Sequence, residues 1–357
     1  MNETPKLYIA GIGMITPVGA NTDMTAAAVR AGVSGYRASR HFTRHTRQPI
    51  TVASVPDEVF SMPFEVDEGT AYDAQTDRAI KMAILALREA IAGHSIKKKI
   101  PLILATPEPV PNVTFVDLQV FIKNLLSQKE LPLHEGLVRY LHSGRPGGIE
   151  GLALAHHYLY QQKAEYVLIG GSDSHDNAAR IGALDTQGRL RALDAMDGFA
   201  PGEGAAFLLL TSDPARALSL GGYVVGLGEP GLGEEPGHFF SNQPYLGEGL
   251  DQAFKQALND YDGPGIDMIY ASMNGEHYWT KEYGVAYVRN QERFRDLIKV
   301  EHPADCFGDL GAATAPTLIG LAAERLLKRP DVASHLVYSS ADGAMRAAVR
   351  LDKLHRL

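Results

Sequence analysis

The 357-residue sequence contains a single cysteine, Cys306, and a single tryptophan. One thiol excludes an intramolecular disulfide framework and any zinc site built from several cysteines. Any thiol chemistry must therefore rest on Cys306 alone. Excess positive charge is also missing: 34 Lys and Arg against 42 Asp and Glu give a formal net charge of -8. That balance argues against a nucleic-acid binder working through a broad basic surface. No apolar run approaches the roughly 20 residues that span a bilayer. Residues 1–6 lack a basic n-region, and glycines at 11 and 13 break the run that follows, so no signal peptide is expected. The sequence predicts a cytoplasmic protein that binds neither membrane nor nucleic acid. No low-complexity linker divides it.

What is present is an alternation of strand and helix signals in a chain that is 45% hydrophobic, long enough for a sizeable core. Strands are expected at 6–13, 99–107, 137–144, 164–174 and 202–212, and a second series at 221–229 and 266–275. Helices are expected at 21–32, 76–93, 116–128, 148–162, 250–261, 280–298 and 311–329. Residues 38–75 read as an irregular excursion and 335–354 as a terminal hairpin. The order predicts α/β layers with largely parallel strands. Two similar halves, 1–220 and 221–357, suggest an internal duplication.

Three stretches carry a resemblance. IAGIGMITPVGANTDMTAAAVRAGVSGY (9–36) is one, and AEYVLIGGSDS (164–174) with LDAMDGFAPGEGAAFLLL (193–210) is the second. The third is CFGDLGAATAPTLIGLAAERLL (306–327). In this order they resemble the β-ketoacyl synthases. The resemblance implies a thiolase-like fold of duplicated halves, layered α/β/α/β/α. It implies thioester condensation by a cysteine at a strand-to-helix elbow, where backbone N–H groups form an oxyanion hole, with two histidines assisting. No cofactor is expected, and with no second His or carboxylate cluster at ligand spacing beside His156 and His157, no metal.

The motif residues depart from that pattern. The cysteine position falls on Arg145, a permanently protonated group that cannot attack a thioester. The first histidine falls on Ser272, or on Asn274, and the second on Asp309. The loop that would carry a gating phenylalanine is Ser-Ser-Ala-Asp-Gly-Ala at 339–344. A cation at a helix N-terminus opposes the helix dipole, so Arg145 is expected to pair with Asp309 or Glu276, or else to point to solvent from a collapsed elbow. Asn274, Glu276 and Glu282 are expected to line a polar cleft. Asp197, Gly202, Glu203 and Gly204 read as structural turn residues.

The expected role is a non-catalytic accessory subunit. It would be a chain-length-factor-like partner of an active ketosynthase, or an accessory protein of a bacterial secretion-effector cluster. A homodimer or heterodimer is expected through the strand near 103 or 139, with an acyl carrier protein or an effector as a further partner. Residues 108–136 read as a contracted pocket region. The alternative is an acyltransferase or hydrolase using Ser143 (with His142 or His277 and Asp309) or Cys306. Cys306 otherwise reads as a core filler, and His156 and His157 as unremarkable helix residues.

Overall fold

A computed structural model describes residues 6–356 apart from 45, 62–73, 110–116, 194 and 196. The strands are β1 (Leu7–Ile15), β2 (Arg37–Phe42), β3 (Pro49–Val52), β4 (Ile100–Ala105), β5 (Leu133–Leu141), β6 (Val167–Ser174) and β7 (Glu203–Thr211). They continue with β8 (Ser219–Leu220), β9 (Tyr223–Leu227), β10 (Gly231–Glu234), β11 (Ile266–Ala271), β12 (Phe294–Glu301), β13 (Ser334–Ser340) and β14 (Met345–His355). The helices are α1 (Thr22–Ala31), α2 (Ala74–Ile91), α3 (Leu118–Ser127), α4 (Gly147–Glu150) and α5 (Leu152–His156). The rest are α6 (Ala178–Thr186), α7 (Glu248–Ala257), α8 (His277–Arg289), α9 (Ala304–Phe307) and α10 (Thr314–Lys328).

The main sheet runs β12-β11-β13-β14-β9-β1-β7-β6-β4-β5. It divides into two half-sheets of matching order, β5-β4-β6-β7-β1 and β12-β11-β13-β14-β9, joined by an antiparallel ladder from Leu7 and Tyr8 to Leu227 and Gly226. In each half the first three strands are parallel, the fourth is antiparallel to both of its neighbours, and the fifth again runs with the first three. Four of the five strands in each half thus share one direction, as the helix-strand alternation implied, and the reversed fourth strand makes the sheet mixed.

Side chains of β7 show how the layers form. Ala206, Leu208 and Leu210 face a central core, while Ala205, Phe207 and Leu209 face α2 and α3, as the two-residue strand period requires. The central core holds α5 and α10 between strands of both halves. A third cluster joins α7 and α8 to the outer face of β11, β13 and β14. Helix, sheet, helix, sheet and helix thus stack in five layers.

Glycine sets the contact between strand and helix. A Cβ at Gly13 would lie 1.9 Å from the Ala86 carbonyl oxygen, and at Gly11 1.9 Å from that of Ala90, both on α2. The second half repeats the device. A Cβ at Gly231 or Gly233 would lie 2.0 Å from the carbonyl oxygen of Ala253 or Gly249 on α7. Two glycines two apart meet carbonyls four apart in each case, which is strong physical support for duplication.

Several elements differ from the sequence expectation. The predicted helix 280–298 ends at Arg289, where Asn290 caps it, and Phe294–Glu301 forms β12 against β11. The apolar Phe294 and the β-branched Ile298 and Val300 fit a half-buried pleat better than a continued helix. Part of the excursion 38–75 is the hairpin β2–β3; residues 45 and 62–73 lie outside the described residues. The helix 148–162 is interrupted, passing from α4 through α5 to a π-helical turn at His157–Gln161. The expected helix 116–128 is capped by Asp117, with Val116 outside the described residues, as is 110–116 within the pocket region. The strand near 139 is longer than expected, and Cys306 lies in the short helix α9. No described helix is long and apolar enough to cross a membrane.

Candidate functional site: an arginine–carboxylate cluster

Arg145 occupies the turn between β5 and α4. Gly144, at φ 64°, reverses the chain, and the Arg145 carbonyl accepts the N–H of Ala315 at the start of α10. A Cβ on Gly147 would stand 2.8 Å from that of Ala105, and one on Gly148 would stand 2.6 Å from Pro316. These glycines let the elbow sink against β4 and α10 and carry Arg145 inward. Only 6% of Arg145 is exposed.

The guanidinium is held on three sides. Nη1 donates to Asp309 Oδ2 at 2.7 Å, Nη2 to Asp342 Oδ1 at 2.6 Å, and Nε to the Ser340 carbonyl at 2.8 Å. Its Cζ lies over the Trp279 ring, 4.6 Å from the ring centre. Arg189 forms the second half of the cluster. It grips Glu276 through Nε at 2.7 Å and Nη2 at 2.8 Å, and Nη1 donates to Asp342 Oδ2 at 2.6 Å. Asp342 therefore bridges two arginines. Asn274 Nδ2 donates to Asp309 Oδ2 at 2.9 Å and to Glu276 Oε2 at 3.2 Å, and Trp279 Nε1 donates to Glu276 at 2.9 Å.

The electrostatics follow from this packing. Burial alone would raise the Asp309 carboxyl, but Arg145, with His175 and Asn274, holds it well below the usual carboxylate range. Burial likewise opposes Asp342, and the two arginines override it and depress its carboxyl. Glu108 behaves in the opposite way. Its carboxylate accepts the N–H groups of Asp342 and Gly343 at 2.9 and 3.0 Å, and burial together with the Asp342 charge pushes it up. His175 is buried and pushed down by burial and by Arg180; its Nδ1 has no partner among the described residues.

Glu108, Arg145, His175, Arg189, Asp309 and Asp342 surround a cavity of only about 50 Å³. A water needs about 10–15 Å³ of such space, so there is room for a few waters, whereas ligand pockets start near roughly 300 Å³. The arrangement stores charge in place. It offers no unpaired nucleophile beside a base.

No protein-family model and no curated protein matches the sequence. Solved structures match over almost the whole chain. "The ishigamide ketosynthase/chain length factor" is 18% identical with a TM-score of 0.71, over 98% of this chain and 99% of that one. The ketosynthase ApeO in complex with its chain length factor ApeC, from Xenorhabdus doucetiae, is 14% identical with a TM-score of 0.68, over 99% of each chain. A β-ketoacyl synthase from Burkholderia phymatum STM815 is 16% identical with a TM-score of 0.71, over 99% of this chain and 100% of that one. The chain has the thiolase-like fold of the ketosynthases. At such identities the likeness speaks for the fold, and the chemistry must come from the site itself.

Within this ketosynthase-like fold, Arg145, Asn274, Glu276 and Asp309 come together. Ser272 is one step removed: its Oγ accepts the Ser340 N–H at 3.0 Å. Glu282, expected at the cleft, instead pairs with the buried Arg346 at 2.5 Å and receives the Ser340 hydroxyl. Arg145 does not point to solvent. No motif marks Arg189, Trp279, Glu108 or His175 as site residues, and Asp342 is marked only through the 339–344 loop.

The remaining nucleophile and histidine positions lie apart from a working arrangement. The buried Ser143 Oγ has no hydrogen-bond partner among the described residues. His142 bonds Thr106 Oγ1 at 2.7 Å, and the exposed His277 pairs with Asp197 at 2.8 Å. Cys306 is buried in the central core, and burial and Asp305 push its thiol up. His156 stacks on Tyr160, and His157 bonds Gln162. Glu203 is buried and pairs with Arg78, while Gly202 packs under Asp309, which fits structural roles for both.

Proposed function

We propose that this chain is a non-condensing subunit of ketosynthase-like fold, an accessory partner of an active ketosynthase in the manner of a chain length factor. The observation that carries the proposal is Arg145 at the elbow, buried and tied to Asp309 and Asp342. A guanidinium stays protonated and has no lone pair to offer a thioester carbonyl. By motif offset Ser272 or Asn274, and Asp309, take the histidine positions, and none of them supplies a neutral imidazole. The small cavity leaves no space for an acyl chain at the elbow.

Two structural neighbours are, by their descriptions, ketosynthases with chain length factors, and a third is an acyl-carrier protein in complex with its ketosynthase. They support a heterodimer and a carrier-protein partner as the reading for this chain. The free edge for such pairing is β5. The strand near 103 has β5 on one side and β6 on the other, so it has no free edge. Among the described residues strand β5 pairs only with β4, and it exposes Arg139 and Tyr140. An unpaired edge is a template for another chain.

One observation favours a second reading, acyl transfer or hydrolysis through Ser143 or Cys306: the Ser143 hydroxyl is unpaired just ahead of the elbow. Among the described residues neither has a base in hydrogen-bond contact, so the accessory role is the stronger reading. Coexpression with a tagged ketosynthase from the same genome tests it. A stoichiometric complex supports the proposal. Recovery with an unrelated protein alone moves the assignment to an effector-type accessory role.

A further inference from the structure

We propose that a cavity at the far end of α10 from Arg145 binds a small primary alkylamine in its ammonium form. This goes beyond the accessory role and uses none of the elbow residues. The cavity measures about 340 Å³ and lies between β1, the start of α1, the end of α2, β8 and the last turns of α10. Ligand pockets begin near roughly 300 Å³, so it suits a small molecule. Helix α10 begins against the Arg145 carbonyl at Ala315 and lines the cavity at Glu324, nine positions on. About 14 Å of helix therefore separates the two places.

Its walls are of two kinds. Ile12, Leu218, Leu220 and Leu327 supply apolar surface, with Leu218 and Leu220 at the mouth 41% and 49% exposed. Asp23, Glu89 and Glu324 supply carboxylates. The charges do not balance. Lys328 Nζ meets Glu324 at 2.7 Å and Asp23 at 3.0 Å, and Arg30 holds Glu324 at 2.7 Å. Two cations thus serve Asp23 and Glu324, and among the described residues no Lys or Arg lies within ion-pair distance of Glu89. Its oxygens accept neutral N–H groups instead, from Thr22 at 2.8 Å and Met14 at 3.0 Å. Burial pushes the carboxyl up against their pull, and Asp23 adds to it. A half-buried carboxylate that lacks a cation is the seat for a ligand's positive charge.

The same geometry excludes other ligand classes. The first N–H groups of α1 would attract an anion, but Glu89 already takes that of Thr22, and Asn21 Oδ1 takes that of Met24. Asp23 and Glu324 repel a further negative group. His94 offers no free donor on Nε2, which bonds the Ala10 carbonyl at 2.9 Å. A neutral apolar ligand would shut Glu89 away from water without compensating its charge. The ligand that satisfies both walls places one ammonium on Glu89 and a short alkyl stem along Ile12, Leu220 and Leu327. An ammonium has three donors for carboxylate oxygens, and the stem covers the apolar wall.

The test is isothermal calorimetry of the full chain with hexylammonium at neutral pH and fixed ionic strength. Comparison probes are 1-hexanol, hexanoate, methylammonium and Nα-acetyl-lysine methylamide. Hexylammonium is expected to bind at least about tenfold tighter than hexanol, which lacks the charge, and than methylammonium, which lacks the stem. Hexanoate should not bind. Glu89→Gln should weaken hexylammonium about tenfold, and Leu220→Ser severalfold, each with a folded chain by thermal melting. If Glu89→Gln unfolds because Met14 and Thr22 lose their acceptor, Leu220→Ser and the hexanol comparison decide. The proposal is overturned if hexylammonium does not bind, if hexanol binds as tightly, or if the folded variants bind hexylammonium unchanged. Tighter binding of the capped lysine than of hexylammonium also overturns it, because the ammonium would then belong to a protein side chain and not to a free amine.

Discussion

Arg145 and Asp309, 164 positions apart in sequence, meet at 2.7 Å in the elbow where the fold's relatives are expected to place a nucleophile. Both are almost fully buried. A buried ion pair is weak evidence of net stability, but removing one partner strands the other charge. Arg145→Met should therefore cost about 3–5 kcal/mol in urea unfolding, with Asp309 left without its guanidinium and Asp342 held by Arg189 alone. The R145M/D309N double variant should recover part of that loss, and the cycle gives the coupling directly. Equal losses that simply add would show that the pair is incidental.

Acid should unfold the cluster by a defined route. Asp309 and Asp342 have depressed carboxyls in the folded state, so their contribution is fully present above the unfolded value of about 3.9 and disappears as pH falls below it. Asp342→Asn should flatten that acid limb in stability measured against pH.

Glu108 gives the opposite sign. Its folded carboxyl is raised, so its stabilising balance is lost as pH rises through the unfolded value of about 4.3 toward the folded one. Relative to wild type, Glu108→Gln should gain stability from pH 4 toward neutrality, as read by thermal melts. A constant offset across that range would contradict the burial and Asp342 effects named above.

The strand–helix seams offer a test of the duplicated packing. Gly13→Ala and Gly233→Ala each push a methyl group into a helix carbonyl at 1.9–2.0 Å. Each should destabilise by about 1–3 kcal/mol or more, because main chain must shift. Gly32→Ala, which meets nothing within 4 Å but sits at φ 66°, separates backbone strain from this clash.

How much of this could be seen in the sequence depends on the element. The glycine-interrupted strand 6–13, the amphipathic helix 76–93 and the small-residue helix 311–329 were legible because period and caps agreed. Strand β12 was not. Its apolar positions continue the helical spacing of 280–289, and only pairing to β11 distinguishes the two states. Arg145 and Asp309 could be placed together because motif offsets mark both. Arg189 had no such mark. It follows α6 in a loop, and its meeting with Asp342, 153 positions later, is a product of tertiary packing alone. A single arginine in a polar loop carries no sequence signature of burial. The orientation of Glu282, away from the cleft, likewise follows from the buried Arg346 it neutralises.

Pairing through β5 predicts sensitivity at its exposed edge. Tyr140→Lys should weaken association with a coexpressed ketosynthase without changing the thermal midpoint of the isolated chain, since Tyr140 is 40% exposed. Sedimentation of the copurified complex reads the change. An unaltered complex would move the interface elsewhere.

The central claim, that the elbow performs no acyl chemistry, is tested most directly by intact-mass spectrometry after incubation with an acyl-pantetheine thioester. The account predicts an unmodified native chain, and a Cys306 thiol that iodoacetamide reaches only after denaturation. A stoichiometric acyl adduct on the native protein, lost in Ser143→Ala or Cys306→Ala, would contradict it.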